Sequence, residues 1–131
     1  MADKNIKICT LNCAGLREKS KLFSILKVLK DKKADVAMLQ ETHLVKSDLN
    51  FIENIWKGTV HLTGTYTNNK GLITLFSKNI DPENIEQIYS DERTLMSTCT
   101  LDNIKTIITN VYAPNNDNEK MNVRRRKVTL T

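Results

Sequence analysis

The sequence predicts an α/β domain in which a βαβ unit is followed by antiparallel strands. Three observations carry this: a short apolar segment at 6–11 that ends at Asn12, an amphipathic stretch at 20–33, and an almost wholly apolar run at 36–39. Strand, helix and strand in that order make a crossover unit, and the second strand is expected to be parallel to the first and central.

Each element has its own justification. Ile6, Ile8, Cys9 and Leu11 read as a strand that feeds a turn at Ala14-Gly15. Ser20 is a plausible N-cap, and Leu22, Ile25, Leu26 and Leu29 recur at helical spacing with lysines opposite. After Gln40 the chain turns polar, then Leu49, Ile52, Ile55 and Trp56 suggest one short helix. Val60 and Leu62 alternate with Thr59, His61 and Thr63, and Leu72-Ile73-Thr74-Leu75-Phe76 follows an Asn68-Asn69-Lys70-Gly71 turn, which predicts a hairpin. Two further β-rich runs, 94–101 and 104–111, meet at Asp102-Asn103. From 116 to 131 hydrophobic periodicity is lost, so this basic stretch is expected to be a loop or a disordered tail.

A chain of 131 residues with 40% hydrophobic and 27% charged residues suits one domain and argues against wholesale disorder. The longest apolar run, 36–39, is far short of the roughly 20 residues a membrane helix needs, so an intracellular protein with no membrane partner is expected. The net charge of +5 is unevenly placed. Residues 1–119 carry 15 basic and 15 acidic side chains, and Lys120, Arg124, Arg125, Arg126 and Lys127 supply the whole excess. Within the body, Arg17 and six lysines between 19 and 33 face only Glu18 and Asp31; a solvated helix face explains this more simply than a phosphate-facing role. Cys9, Cys13 and Cys99 match no common zinc spacing and are expected to be neutral thiols.

Polar residues at expected strand ends are the candidates for chemistry: Asn12, Glu41, and Tyr112 with Asn115. In layered α/β folds the ends of adjacent strands converge on one rim, where residues distant in sequence meet. A carboxylate two residues past an apolar strand can hold a hard cation, and magnesium accepts one or two carboxylates while keeping several waters; Glu41 with an amide from Asn12 would be adequate. Taken singly, each of these residues is more often a solvated loop, turn or strand-exit residue, and His43 and His61 read as surface or satisfied strand residues.

The combination is more specific. Leu-Asn-Cys-Ala-Gly-Leu at 11–16, Leu-Gln-Glu-Thr-His-Leu at 39–44 and Asn-Val-Tyr-Ala-Pro-Asn at 110–115 occur in that order. Together they resemble the endonuclease/exonuclease/phosphatase superfamily, and within it the apurinic-type endonuclease domain of non-LTR (LINE-type) retrotransposon proteins. The resemblance covers the N-terminal half of that domain, with residues 1–115 as the partial domain. It implies the N-terminal half of a four-layer α/β sandwich and a Mg²⁺-dependent phosphodiester hydrolysis, with Mn²⁺ as an alternative ion. DNA is the implied partner, and a nuclear location is implied for the full-length parent. It also implies Glu41 as metal ligand, Asn12 as a residue positioning metal and phosphate, Tyr112 and Asn115 lining the scissile phosphate, and His43 packed behind Glu41.

Two departures from the superfamily pattern follow. A second Asn or Asp is usual two residues after the first motif's Asn, and here Ala14 stands there. The Gly-Asp-Phe-Asn-like and Ser-Asp-His motifs of the C-terminal half are absent, and neither Gly nor His occurs after residue 71. The resemblance therefore implies a truncated chain that is inactive alone. Two alternatives stay open: a catalytically dead remnant that binds nucleic acid weakly through residues 17–33 and Arg124 to Lys127, and a phosphatase of the same superfamily acting on lipid or nucleotide phosphates.

Overall fold

The computed structural model describes residues 5–63, 70–113 and 128–130. The chain begins with β1 (Ile8–Asn12), α1 (Lys19–Asp31) and β2 (Val36–Gln40), continues through α2 (Leu49–Trp56), β3 (Thr59–Leu62) and β4 (Ile73–Phe76), and then runs through β5 (Glu86–Ser90), β6 (Thr94–Leu101), β7 (Ile104–Val111) and β8 (Val128–Leu130). Two four-stranded sheets result, ordered β1-β2-β4-β3 and β5-β6-β7-β8. The predicted crossover is present: β1 and β2 are parallel, and β2 pairs on its other side with antiparallel β4, which makes it central.

The apolar run of β2 reflects burial on both faces. Ala37 and Leu39 pack with Leu22, Leu26 and Leu29 of α1 and with Ile52 and Trp56 of α2. Val36 and Met38 point the other way and meet Phe76, Ile80, Cys99, Leu101 and Ile108, which join the two sheets. A strand covered on both sides has no polar face to show, so its sequence does not alternate. The layers run helices, first sheet, second sheet. Beyond them the outer face of β6 and β7, with Met96 opposite Thr109 and Thr98 opposite Ile107, carries no helix among the described residues.

Local chemistry accounts for the boundaries. Glu18, not Ser20, holds the cap position of α1 and makes no side-chain cap bond; Ser20 falls in the first turn, where its hydroxyl donates to Glu18 at 2.7 Å. Gly58 is required where α2 turns into β3, since a Cβ there would stand 2.2 Å from the Phe76 carbonyl oxygen that the Trp56 indole N–H reaches at 2.8 Å. Asp102 and Asn103, at φ 49° and 65°, close the β6–β7 hairpin with the two left-handed residues that a tight primed turn demands.

Two strands differ from the sequence reading. All of β5 is exposed, and its pairing with β6 is interrupted by an irregularity between Gln87 and Tyr89, so no period-two pattern marks it. Val128–Leu130 pair with β7 where loop or tail is expected, while residues 116–127 of that stretch lie outside the described residues. Among the described residues no helix is long and apolar enough to cross a membrane.

His61 of β3 lies between the sheets. Its Nδ1 is 2.7 Å from the hydroxyl of buried Ser97 on β6, and its ring meets Phe76 edge-on at 5.4 Å. Burial pushes its pKa below the usual histidine range. The unfolded chain thus takes up a proton near pH 6.5 that the folded chain accepts only at lower pH, so stability falls as pH drops below about 6.5. Thermal unfolding at about pH 5 and pH 7 should show a lower midpoint in acid for the wild type and a smaller decrease for His61→Gln. An equal decrease would remove His61 from the account.

Candidate functional site

The site is assembled by the end of the β1–β2 ladder. Parallel register sets Asn12 opposite Gln40, and the chain beyond β1 continues to hydrogen bond to the chain beyond β2. The amides of Cys13, Gly15 and Leu16 donate to the carbonyls of Gln40, Glu41 and Thr42 at 2.8, 2.6 and 2.8 Å. From the opposite side, Thr42 and His43 donate to the carbonyls of Gly71 and Lys70 at 3.1 and 2.8 Å. Glu41 is therefore held by backbone bonds on both flanks.

This splint maintains unusual backbone. Ala14, Glu41 and His43 have φ of 51°, 49° and 60°, left-handed values that cost a residue with a Cβ about 1–3 kcal/mol each. Such strain persists where surrounding bonds over-determine it, and it re-aims side chains at a strand end. Gly15 at φ 93° also belongs here, because a Cβ on it would come within 2.9 Å of His43 Nδ1; the imidazole of His43 packs against this loop.

Asn12 and Glu41 are brought together. Asn12 Nδ2 donates to Glu41 Oε2, while Asn12 Oδ1 accepts the Ala14 amide at 3.1 Å. Since only an oxygen can accept from Ala14 N–H, the backbone fixes the amide orientation and directs the nitrogen at the carboxylate. Asn12 is exposed and Glu41 half-buried, so the pair lies at the surface with one carboxylate oxygen engaged. Ala14 contributes its backbone N–H in place of the polar side chain usual at that position.

Tyr112 follows β7 and is half-buried, its amide donating to the Arg93 carbonyl at 2.8 Å. The residue that ties this strand end to the end of β2 is Asn110, two positions earlier. Fully buried, Asn110 accepts from Gln40 Nε2 at 2.9 Å, and its own Nδ2 donates to the carbonyls of Leu39 and Ile73 at 3.2 and 3.0 Å and to Thr74 Oγ1 at 3.3 Å. One side chain thus bolts β7 to the ends of β2 and β4. Asn115 lies outside the described residues.

Asn110 was visible only as part of a motif. Its signal is positional: Thr106, Ile108 and Asn110 share the inward face of β7, and an amide in such a row must find polar partners. The other candidates resolve simply. Burial pushes the Cys13 thiol up to about 12 and the Cys99 thiol up to about 11, so both are neutral and inert, as expected. His61 is a packing residue of the sheet interface. On α1, Lys27 pairs with Asp31 at 3.0 Å and Lys19 lies over the Phe51 ring, a solvated face.

The donor set suits a hydrated divalent cation. Among the described residues no group of three or more His, Cys, Asp or Glu converges, which disfavours a zinc-type cage, whereas a single half-buried carboxylate oriented by an amide is enough for an ion that keeps most of its water. Mg²⁺ and Mn²⁺ both satisfy that description.

No protein-family model matches the chain. A "Transposon TX1 uncharacterized 149 kDa protein" from Xenopus laevis is 33% identical over 120 residues, which is 88% of this chain and 9% of that protein. Among solved structures, AP endonuclease LMAP from Leishmania major superposes with a TM-score of 0.63 at 18% identity, covering 83% of this chain and 40% of the other. TDP2 from Caenorhabditis elegans gives 0.63 at 19% identity, covering 86% and 36%. An AP endonuclease from Archaeoglobus fulgidus gives 0.58 at 22% identity, covering 84% and 42%. The chain therefore shares the fold of these AP endonuclease and TDP2 structures and spans about two fifths of their length.

Replacing Asn110 by Leu keeps a similar bulk and removes the side-chain donor to the buried Leu39 and Ile73 carbonyls, while Gln40 Nε2 keeps its bonds to Thr10 Oγ1 and the Met38 carbonyl. It should lower stability in urea unfolding by at least about 1–3 kcal/mol, the cost of buried groups left unsatisfied. A change within a few tenths would show that the clamp carries no weight.

Proposed function

We propose that this chain is the metal- and phosphate-binding half of a Mg²⁺-dependent DNA endonuclease of the retrotransposon type. The observation that carries the reading is the Asn12–Glu41 pair at the shared end of β1 and β2, with Glu41 in left-handed backbone, on a fold of AP endonuclease type. The likeness to a transposon protein supports the retrotransposon assignment, and the AP endonuclease neighbours support DNA as substrate. A nuclear location for the whole protein follows from the same reading.

In this proposal Glu41 holds the cation, and Asn12 restrains the Glu41 carboxylate by donating from Nδ2 to Oε2, which leaves the other carboxylate oxygen for the ion. Bound there, the ion would offset charge on the phosphoryl oxygens as the bond to the attacking oxygen forms. Tyr112, delivered to this rim by the Asn110 clamp, offers a phenol to a phosphate oxygen, and Asn115 is proposed beside it. His43 shapes the loop from behind. Residues 1–131 contain no Gly-Asp-Phe-Asn-like or Ser-Asp-His-like stretch to orient water or protonate a leaving group. Binding without turnover is thus the activity proposed for this segment alone.

Titration of Mn²⁺ into the chain, followed by the ion's electron paramagnetic resonance, should show a site in the wild type that weakens at least about tenfold in Glu41→Gln. In a chain extended through the two missing motifs, supercoiled plasmid should be nicked by the wild type and not by Glu41→Ala. Equal Mn²⁺ binding or equal nicking by the paired proteins would refute the role of Glu41.

A further inference from the structure

The pole of the first sheet remote from Glu41 holds a cleft of about 690 Å³. Its lining comes from the residues that enter β1 and β2, from the C-terminal ends of α1 and α2, and from the segment that leaves β4. The five residues of β2 separate it from the candidate metal site by about 17 Å of strand.

Five lysines line this cleft against one carboxylate, and they divide into two groups. Lys7 donates to the Lys32 carbonyl at 3.1 Å and Lys30 to the Ile55 carbonyl at 2.6 Å, so these two complete the C-terminal ends of the helices and have a structural duty. Lys33, Lys57 and Lys78 are exposed, and their ammonium groups have no hydrogen-bond or ion-pair partner among the described residues. The carboxylate, Asp35, is buried and spoken for, since it accepts the Lys7 amide at 2.9 Å. The concavity is left with a surplus of positive charge that the described residues do not neutralise.

The placement of two of these lysines is itself unusual. Lys33 and Lys57 follow α1 and α2 in left-handed backbone at φ 58° and 65°, where glycine is the ordinary occupant. Complementing a helix end does not require a left-handed lysine, and Lys78 lies on no helix at all. Three unpaired ammonium groups from three separate loops, spread around an open cleft, suit several phosphates in a row better than one enclosed anion.

We propose that this cleft is a second nucleic-acid contact, in which Lys33, Lys57 and Lys78 bind the phosphates of a strand at the opposite pole from Glu41. The choice of nucleic acid over small phosphates rests on the nuclease reading; the anion site rests on the cleft alone. In a full domain such a contact would hold a flanking or second strand while the rim engages the one to be cut.

The experiment measures fluorescence anisotropy of a labelled single-stranded oligonucleotide in EDTA across about 25–200 mM KCl. Wild type is compared with Lys33→Gln/Lys57→Gln/Lys78→Gln and with Lys19→Gln/Lys27→Gln/Lys46→Gln, which removes equal charge elsewhere. Because three ammonium groups no longer neutralise phosphates, the slope of log affinity against log salt should fall by about 2 in the cleft variant and stay near the wild-type value in the other. Unchanged binding by the cleft variant, or an equal fall in both triples, overturns the proposal. Displacement of the oligonucleotide by pyrophosphate at equal phosphate concentration overturns the assignment to nucleic acid. If the triple variant does not fold, Lys78→Glu alone should lower the slope, and an unchanged slope overturns the proposal. The chelator keeps this result independent of metal binding at Glu41.

Discussion

The parallel pairing of β1 with β2 is the constraint on which the rest of the molecule depends. β2 is buried on both faces, so its register cannot slip by one residue without exchanging Ala37 and Leu39 for Val36 and Met38 across the sheet. With that register set, Asn12 must end opposite Gln40, and the ladder of amides from Cys13 to Leu16 carries the alignment past the strand ends to Glu41. Hydrophobic burial thus fixes the position of a polar pair that contributes nothing to the core. The strain in Ala14, Glu41 and His43 is tolerated because the backbone bonds on either flank leave those residues no alternative.

Asn110 extends this logic from one sheet to two. Apolar contacts between sheets tolerate small sliding, but an amide that must satisfy Leu39, Ile73, Thr74 and Gln40 together does not. The second sheet is thereby locked to the first at Gln40, the residue before Glu41, and two residues before Tyr112. The opposite pole of the first sheet has a different character: the ends of both helices gather there, and the lysines that complete them are joined by lysines with no such task. The first sheet separates a polar rim bearing a carboxylate from a basic cleft.

Much of this was legible in the sequence, for identifiable reasons. The crossover unit, the short helix at 49–56 and both hairpins each bury an apolar face, and burial writes periodicity into sequence. The Asp102-Asn103 junction was readable because few residues accept left-handed backbone. β5 left no pattern, since none of its residues is buried and an irregularity breaks its alternation. The cap of α1 falls at Glu18 rather than Ser20 because serine chemistry marks a helix start only when its oxygen reaches a backbone amide, and here it reaches a carboxylate. At the site, Asn12 and Glu41 could be paired from their places at strand ends. The role of Asn110 could not, since it depends on which strands of two sheets face each other, a contact across 70 residues of chain.

The most direct test of this account is to follow the backbone amide resonances of the whole chain while Mg²⁺ is added. A cation held by Glu41 and transmitted through the ladder should move the resonances of residues 12–15 and 41–43 together, with a smaller response at Gln40 and Asn110 and none at Lys33, Lys57 or Lys78. Shifts confined to other acidic residues, or no saturable shift at Glu41 and its ladder partners, would contradict the claim that the β1–β2 register builds a metal site.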